Sequence, residues 1–260
     1  WVLRPLGWFF GIVAAMALSV AIVLGIALAV AYPQLPDIGS LTDYQPKLPL
    51  RVYTRDGVLL GEFGEERRSF TSIKDVPKVM RDAVLAIEDA RFYDHGGVDL
   101  VGIARAALAQ LSEARSQGAS TITMQVARNF YLSTEKTLTR KVYEVLLTWK
   151  IESLLTKDQI LEAYMNQIFL GQRAYGFAAA SDIYFGKPLK DVTVAEAAML
   201  AGLPKGPSIY NPIVNPKRAT ARQQYIIDRM LDNRFISAEQ AAAARTEKLR
   251  YKSQSEVAVH

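Results

Sequence analysis

Ten consecutive residues hold the first concentration of reactive side chains: Glu88-Asp89-Ala90-Arg91-Phe92-Tyr93-Asp94-His95-Gly96-Gly97. Offsets of four and seven predict Glu88, Phe92 and His95 on one helical face. Val84, Leu85 and Ile87 come just before Glu88, so its carboxylate is expected to leave the core side of a helix beside a cleft. A carboxylate placed there loses water, its pKa rises, and it can take a proton at neutral pH. A surface glutamate paired with Arg91 or Arg81 is the commoner arrangement, and these ten residues alone favour it.

A second segment runs Gly118-Ala119-Ser120-Thr121-Ile122-Thr123-Met124-Gln125 and continues to Arg128-Asn129. Small residues let a loop approach a ligand closely, and the N-terminus of the following helix aims free N–H groups at an anion. Ser120 is the predicted cap of that helix, with Gln125 and Arg128 three residues apart on its face. The third segment is Arg140-Lys141-Val142-Tyr143-Glu144, in which two cations flank a second carboxylate at helical spacing. By itself this pattern makes surface salt bridges; joined to the second segment it makes an anion clamp.

Other stretches look like scaffolding. Glu162 and Asn166, within Ile160 to Gly171, and Glu196, which opens the run to Pro212, are expected to pack, cap or support the site. Ser133-Thr134-Glu135-Lys136 matches the S-x-x-K pattern of serine acylases, but no K-T-G follows and the site suits a helix cap equally well. Zero cysteines and only His95 and His260 exclude a thiolate zinc site, an iron–sulfur cluster and a multi-histidine centre, so no metal site is expected. G-x-G-x-x-G, the P-loop and an aromatic-interleaved basic array are missing, which argues against nucleotide and nucleic-acid ligands.

The elements that must position these residues follow from pattern. Asp75 with Pro77 opens a helix expected to reach Gly96-Gly97, and Asp99 caps another to about Leu111. Ser133 or Thr134 starts a long helix to about Leu155. Thr156 with Gln159, Thr193 with Glu196 and Ser237 with Gln240 have capping-box spacing, and Asn215-Pro216 opens a further helix. Arg51 to Phe63 reads as a β-hairpin turning at Arg55-Asp56-Gly57. The result is one mainly α-helical domain with a small β-hairpin at its membrane-proximal end.

The 260 residues are 50% hydrophobic and 22% charged, which excludes general disorder. The net charge of +5 favours polyanions, phosphate-bearing substrates or an anionic surface. From Pro5 to Pro36 there is no charged side chain, and the apolar run from Leu6 to Tyr32 would make roughly 40 Å of helix, more than the ~30 Å a bilayer core needs. The length exceeds that of a signal-peptide core, so an uncleaved N-terminal transmembrane helix is expected. The predicted division is 1–36 anchor, 37–70 linker and hairpin, 71–249 catalytic domain, and 250–260 the start of a linker.

The order of the motifs carries a resemblance. E-D-x-x-F-x-x-H-x-G, G-A-S-T-I-T-x-Q, R-K-x-x-E, I-L-E-x-Y-x-N-x-I-x-L-G and A-x-L-A-G-L-P-x-x-P-x-x-Y-N-P stand in sequence from Glu88 to Pro212. The chain resembles the peptidoglycan glycosyltransferase domain of class A penicillin-binding proteins. That resemblance implies a lysozyme-like fold with a head lobe and a smaller membrane-side jaw. It implies polymerisation of lipid II into glycan strands with release of undecaprenyl diphosphate, on the periplasmic face of the inner (cytoplasmic) membrane.

By position in the motifs, Glu88 is implied as the catalytic base and Glu144 as its assistant. Ser120, Gln125, Arg128, Arg140 and Lys141 match the diphosphate-binding groups. Asp89, Phe92, His95, Gly97, Thr121, Asn129, Glu162 and Asn166 are implied as supporting residues. No cofactor is required, with room for a divalent cation (Mg or Mn) at the diphosphate. Implied partners are lipid II, the growing lipid-linked glycan, the membrane and cell-wall assembly proteins. Met124 stands where many relatives carry glutamine, and Arg128 where lysine is frequent. A lytic enzyme acting on the same sugars and a non-enzymatic scaffold are the rival readings; the basic residues favour the transferase, because a hydrolase has no diphosphate to hold.

Overall fold

The computed structural model describes residues 3–42, 50–57, 59–63, 66–104, 120–132 and 138–252. Most are helical. Helix α1 covers Leu3–Ala31 and leads through a 3₁₀ turn, Tyr32–Gln34, to a short helix α2, Gly39–Thr42. Leu35, Ile38 and Leu41 are buried in the main core, so the segment leaving α1 is packed onto the domain. The described α1 side chains Trp8, Ile12, Met16, Val20, Ile26 and Val30 are exposed. Among the described residues no helix is long and apolar enough to cross a membrane.

The hairpin stands where the alternation places it. Strand β1 (Leu50–Tyr53) pairs antiparallel with β2 (Leu59–Phe63), Leu50 opposite Phe63, and Gly57 takes the positive φ of 81° that the turn needs. A second, two-residue ladder was not expected: β3 (Arg67–Arg68) lies parallel to β4 (Ala174–Tyr175), with the Arg68 guanidinium 4.2 Å from the centre of the Tyr175 ring.

Helix α3 (Lys78–Glu88) buries Met80, Ala83, Val84 and Ile87, the stripe that helical spacing sets up. It ends at Glu88, eight residues before the predicted stop. Asp89 leaves the helical region (φ −163°, ψ 78°), and its side chain is spent on later residues. A 3₁₀ turn, Phe92–Asp94, follows, so Phe92 and His95 do not continue the helical face of Glu88. Helical residues 100–104 begin where Asp99 caps them, Asp99 Oδ1 accepting from the Gly102 N–H at 2.9 Å; the continuation predicted to Leu111 lies outside the described residues.

Helices α4 (Ile122–Tyr131), α5 (Leu138–Leu154) and α6 (Lys157–Gln167) pack together, α4 lying against both others. The predicted start of α5 at Ser133 or Thr134 lies outside the described residues. Helices α7 (Phe177–Phe185), α8 (Val194–Ala201), α9 (Pro216–Asp232) and α10 (Ala238–Thr246) complete the chain. All three capping boxes form, at α6, α8 and α10. Helices α8 and α9 both pack on α3, so the element that carries Glu88 is covered from the C-terminal side.

Candidate active site

Glu88 is the last residue of α3 and half-buried. Its Oε2 accepts a hydrogen bond from Gln125 Nε2 at 2.8 Å. Burial pushes its carboxyl above the ordinary 4.5; the Gln125 bond and the charges of Arg222, Lys205 and Arg128 pull the other way, in that order. The surface ion pair favoured from the short segment does not form, since Arg91 faces Asp99 at 3.7 Å. A desolvated carboxylate ringed by cations can stay ionised and still accept a proton.

The second motif reaches Glu88 because α4 starts in the right place. Thr121, one residue after the predicted Ser120, is the N-cap, its side chain accepting from the Met124 N–H. Ser120 has no side-chain cap role; the β-region φ of −80° and ψ of 167° belong to Thr121. The Asp89 carboxylate accepts from the Ile122 N–H at 3.2 Å and from His95 Nε2 at 2.9 Å. Asp89 thus ties the first motif to the free end of α4, satisfying a helix donor with a negative charge at the positive end of the dipole. Gln125 and Arg128, one turn further on, are carried to Glu88 by this junction.

Gly97 closes the same corner. It sits at φ 89°, and a Cβ there would stand 2.6 Å from Thr148 Cγ2. Its carbonyl accepts from Thr121 Oγ1 at 2.5 Å. Thr123 donates to Glu152 at 2.5 Å, and Lys157 meets the same carboxylate at 2.7 Å with its ammonium 4.4 Å from the Phe92 ring centre. Phe92 is therefore core rather than ligand wall, as its burial confirms.

The third motif forms its own ion pair. Glu144 is buried, and Lys141 Nζ meets its Oε1 at 2.5 Å while half of the Lys141 side chain remains exposed. Glu144 Oε2 has no hydrogen-bond partner among the described residues, a buried acceptor left open. Arg140 lies half-buried one residue before Lys141. Helix α4, which carries Gln125 and Arg128, packs along α5, which carries Arg140, Lys141 and Glu144.

Not every predicted residue is in the site. Asn129 is exposed on the outer face of α4. Asn166 pins the chain at Thr71, accepting from its N–H at 2.8 Å and donating to its carbonyl at 2.9 Å. Glu162 does the same for the Ile73 N–H at 2.7 Å. Both hold the segment that leads into α3, and among the described residues neither side chain hydrogen-bonds to Glu88 or Glu144.

Three residues were missed. Arg222 of α9 and Lys205, in the turn after α8, act on Glu88 from outside the first three motifs. Tyr164 of α6 is fully buried, and its hydroxyl has no hydrogen-bond partner among the described residues. Burial and then the Glu88 charge push that phenol well above its ordinary 10, with Arg128 opposing. A signal existed for Arg222: it stands one turn before Ile226, at the edge of the buried stripe Ala219, Gln223, Ile226, Met230.

The family model described as "Transglycosylase" matches residues 56–231. Penicillin-binding protein 1A of Neisseria lactamica is 56% identical over 243 residues, 93% of this chain and 30% of its own length. Penicillin-binding protein 1A of Escherichia coli K12 is 51% identical over 216 residues, 83% of this chain and 25% of its own. A crystal structure of penicillin-binding protein 1A from Haemophilus influenzae aligns at 32% identity and TM-score 0.47, over 80% of this chain and 22% of that one. The chain spans about a third or less of the length of the curated relatives it matches. It belongs to the transglycosylase family.

Proposed function

We propose that this domain polymerises lipid II into glycan strands and releases undecaprenyl diphosphate, with Glu88 as general base and Glu144 assisting. The observation that carries the reading is the Glu88 environment: a desolvated carboxylate, fixed by Gln125, with three cations acting on it. In this mechanism the acceptor sugar's 4-hydroxyl gives its proton to Glu88 as its oxygen bonds to the donor's anomeric carbon. The bond from that carbon to the phosphate oxygen breaks, its electron pair leaves with the diphosphate, and the anomeric centre inverts. A positioned base contributes ~10²–10⁴-fold. Ser120, Arg128, Arg140 and Lys141 are the groups proposed to meet the diphosphate, whose growing charge is stabilised by fixed cations.

We further propose that α1 anchors the domain in the inner membrane, with catalysis on the periplasmic face. Its exposed apolar side chains support this, because such a surface is stable only against another apolar phase. Substrate and enzyme would then share one bilayer. Lys150 of α5 donates to the Pro36 carbonyl at 3.0 Å, which ties the end of the anchor to the helix that carries Arg140, Lys141 and Glu144. The head and jaw lobes belong to the same proposal. A divalent cation would be held by the substrate's phosphates; among the described residues no group of three or more acidic or histidine side chains is placed to hold one.

The test is incubation of the detergent-solubilised protein with labelled lipid II, and separately with finished cell wall. Chain growth from lipid II without sugar release from cell wall is the expected result. Release of sugars without chain growth would establish a lytic enzyme instead.

A further inference from the structure

Glu152, near the end of α5, lies outside every motif of the sequence, yet it touches the first two and shares a helix with the third. Its Oε1 accepts from Thr123 Oγ1 at 2.5 Å and from Lys157 Nζ at 2.7 Å. Thr123 is fully buried in the first turn of α4, two residues before Gln125. Lys157 opens α6 with its ammonium over the Phe92 ring, and the next residue, Asp158, accepts from the Tyr93 hydroxyl at 2.9 Å. The Glu152 stem packs at Gly97, where a Cβ would stand 2.9 Å from Glu152 Cγ. One carboxylate thus joins the 3₁₀ turn of the first motif, the start of α4 and the start of α6 to the helix that carries Glu144.

The placing of that carboxylate matters for the reaction. Glu152 stands two turns after Glu144 on α5. Thr148, midway between them, donates to the Glu144 carbonyl at 2.7 Å, and its methyl faces Gly97. Apolar packing by itself lets one helix slide slightly along another. A short hydrogen bond to a charged acceptor does not, because it weakens steeply with distance and angle. The bond from Thr123 to Glu152 therefore fixes the axial register of α4 on α5. On α4, Gln125 holds Glu88 at 2.8 Å; on α5, Lys141 is paired with Glu144 at 2.5 Å. The register of the two helices decides how these two pairs stand to one another.

We propose that Glu152 is a positioning residue for glycosyl transfer: through Thr123 it fixes α4 against α5, and with it the placing of the Glu88–Gln125 pair relative to the Lys141–Glu144 pair. Lys157 holds the carboxylate in place, and Gly97 leaves it room. The inference rests on Glu88 being the base, and the experiment separates the two.

The measurement is kcat and KM for lipid II polymerisation, per folded molecule and well below the melting temperature. The variants are Thr123→Val, Thr123→Ser, Glu152→Met, the double variant Thr123→Val with Glu152→Met, and Glu88→Gln. Thr123→Val keeps the volume and the Lys157 pair and removes the hydroxyl. Its kcat should fall about tenfold with KM within about twofold of wild type, because misplaced reacting groups are felt in the transition state. Thr123→Ser keeps the hydroxyl and should return kcat to within about threefold of wild type. The double variant should be no slower than the slower single one, since both remove the same bond. A purely structural role would lower the melting temperature and leave kcat per folded molecule unmoved. If Glu152→Met does not fold, the Thr123 pair of variants decides. A kcat for folded Thr123→Val equal to wild type, a change in KM alone, or a Thr123→Ser variant as slow as Thr123→Val overturns the inference while Glu88→Gln is inactive. Polymerisation by Glu88→Gln at the wild-type rate overturns the base reading, and this inference with it.

Discussion

The Gln125 amide donates to the Glu88 carboxylate at 2.8 Å, joining residues 37 apart in the chain. It is the only hydrogen bond to the Glu88 side chain among the described residues, and it comes from the helix that also carries Arg128. The bond opposes the effect of burial by favouring the ionised acid.

Gln125→Leu should therefore weaken the base more than the fold. A hydrogen bond to a charged group is worth roughly 1.5–3 kcal/mol, which corresponds to about a tenfold or greater loss of kcat/KM below neutral pH. Steady-state polymerisation at pH 6 and pH 8.5 checks this; the deficit should be larger at pH 6.

Stability should carry the same signature. The folded carboxyl of Glu88 titrates above 4.5, its ordinary value, so between the two the folded state holds a proton that the unfolded state has lost. The contribution of this group to stability is complete below about 4.5 and is lost as pH rises through the folded value. Glu88→Gln cannot lose it. Its melting temperature should exceed that of the wild type at pH 7 and the gap should close by pH 4, measured by thermal unfolding across that range.

Much of this architecture was legible in the chain. The three capping boxes, the hairpin turn at Gly57 and the buried stripe of α3 are local patterns, and local chemistry decides them. The end of α3 was not legible, because Asp89 leaves the helix for partners at His95 and Ile122, and only the fold brings those together. The cap of α4 moved from Ser120 to Thr121 for a related reason: Thr121 alone reaches the Gly97 carbonyl. Lys205 stayed hidden, since nothing local marks a cation that acts on an acid more than a hundred residues earlier, and the one local sign at Arg222, its place one turn before the buried Ile226, does not name Glu88 as its partner.

The Asp89 junction should be a stability element. Asp89→Ala leaves His95 Nε2 and the Ile122 N–H unpaired in a buried corner, at a cost of roughly 1–3 kcal/mol each. Chemical denaturation should show a total loss of about 2–6 kcal/mol, with Asp89→Asn milder because its amide oxygen can still accept.

Gly97→Ala should be as costly for a different reason. The positive φ of 89° and a methyl placed 2.6 Å from Thr148 Cγ2 and 2.9 Å from Glu152 Cγ combine backbone strain with overpacking. About 2–4 kcal/mol of stability should be lost, and Thr148→Ala introduced beside it should recover the share that comes from the Thr148 clash. A double-mutant cycle by denaturant titration measures that recovery.

The claim on which the rest stands is that Glu88 accepts the proton. Its direct measurement is the initial rate of lipid II polymerisation by folded Glu88→Gln, with melting temperature recorded on the same sample. A rate at least a hundredfold below wild type, on protein that melts at or above the wild-type temperature, is the predicted result. A rate within a few-fold of wild type would contradict it.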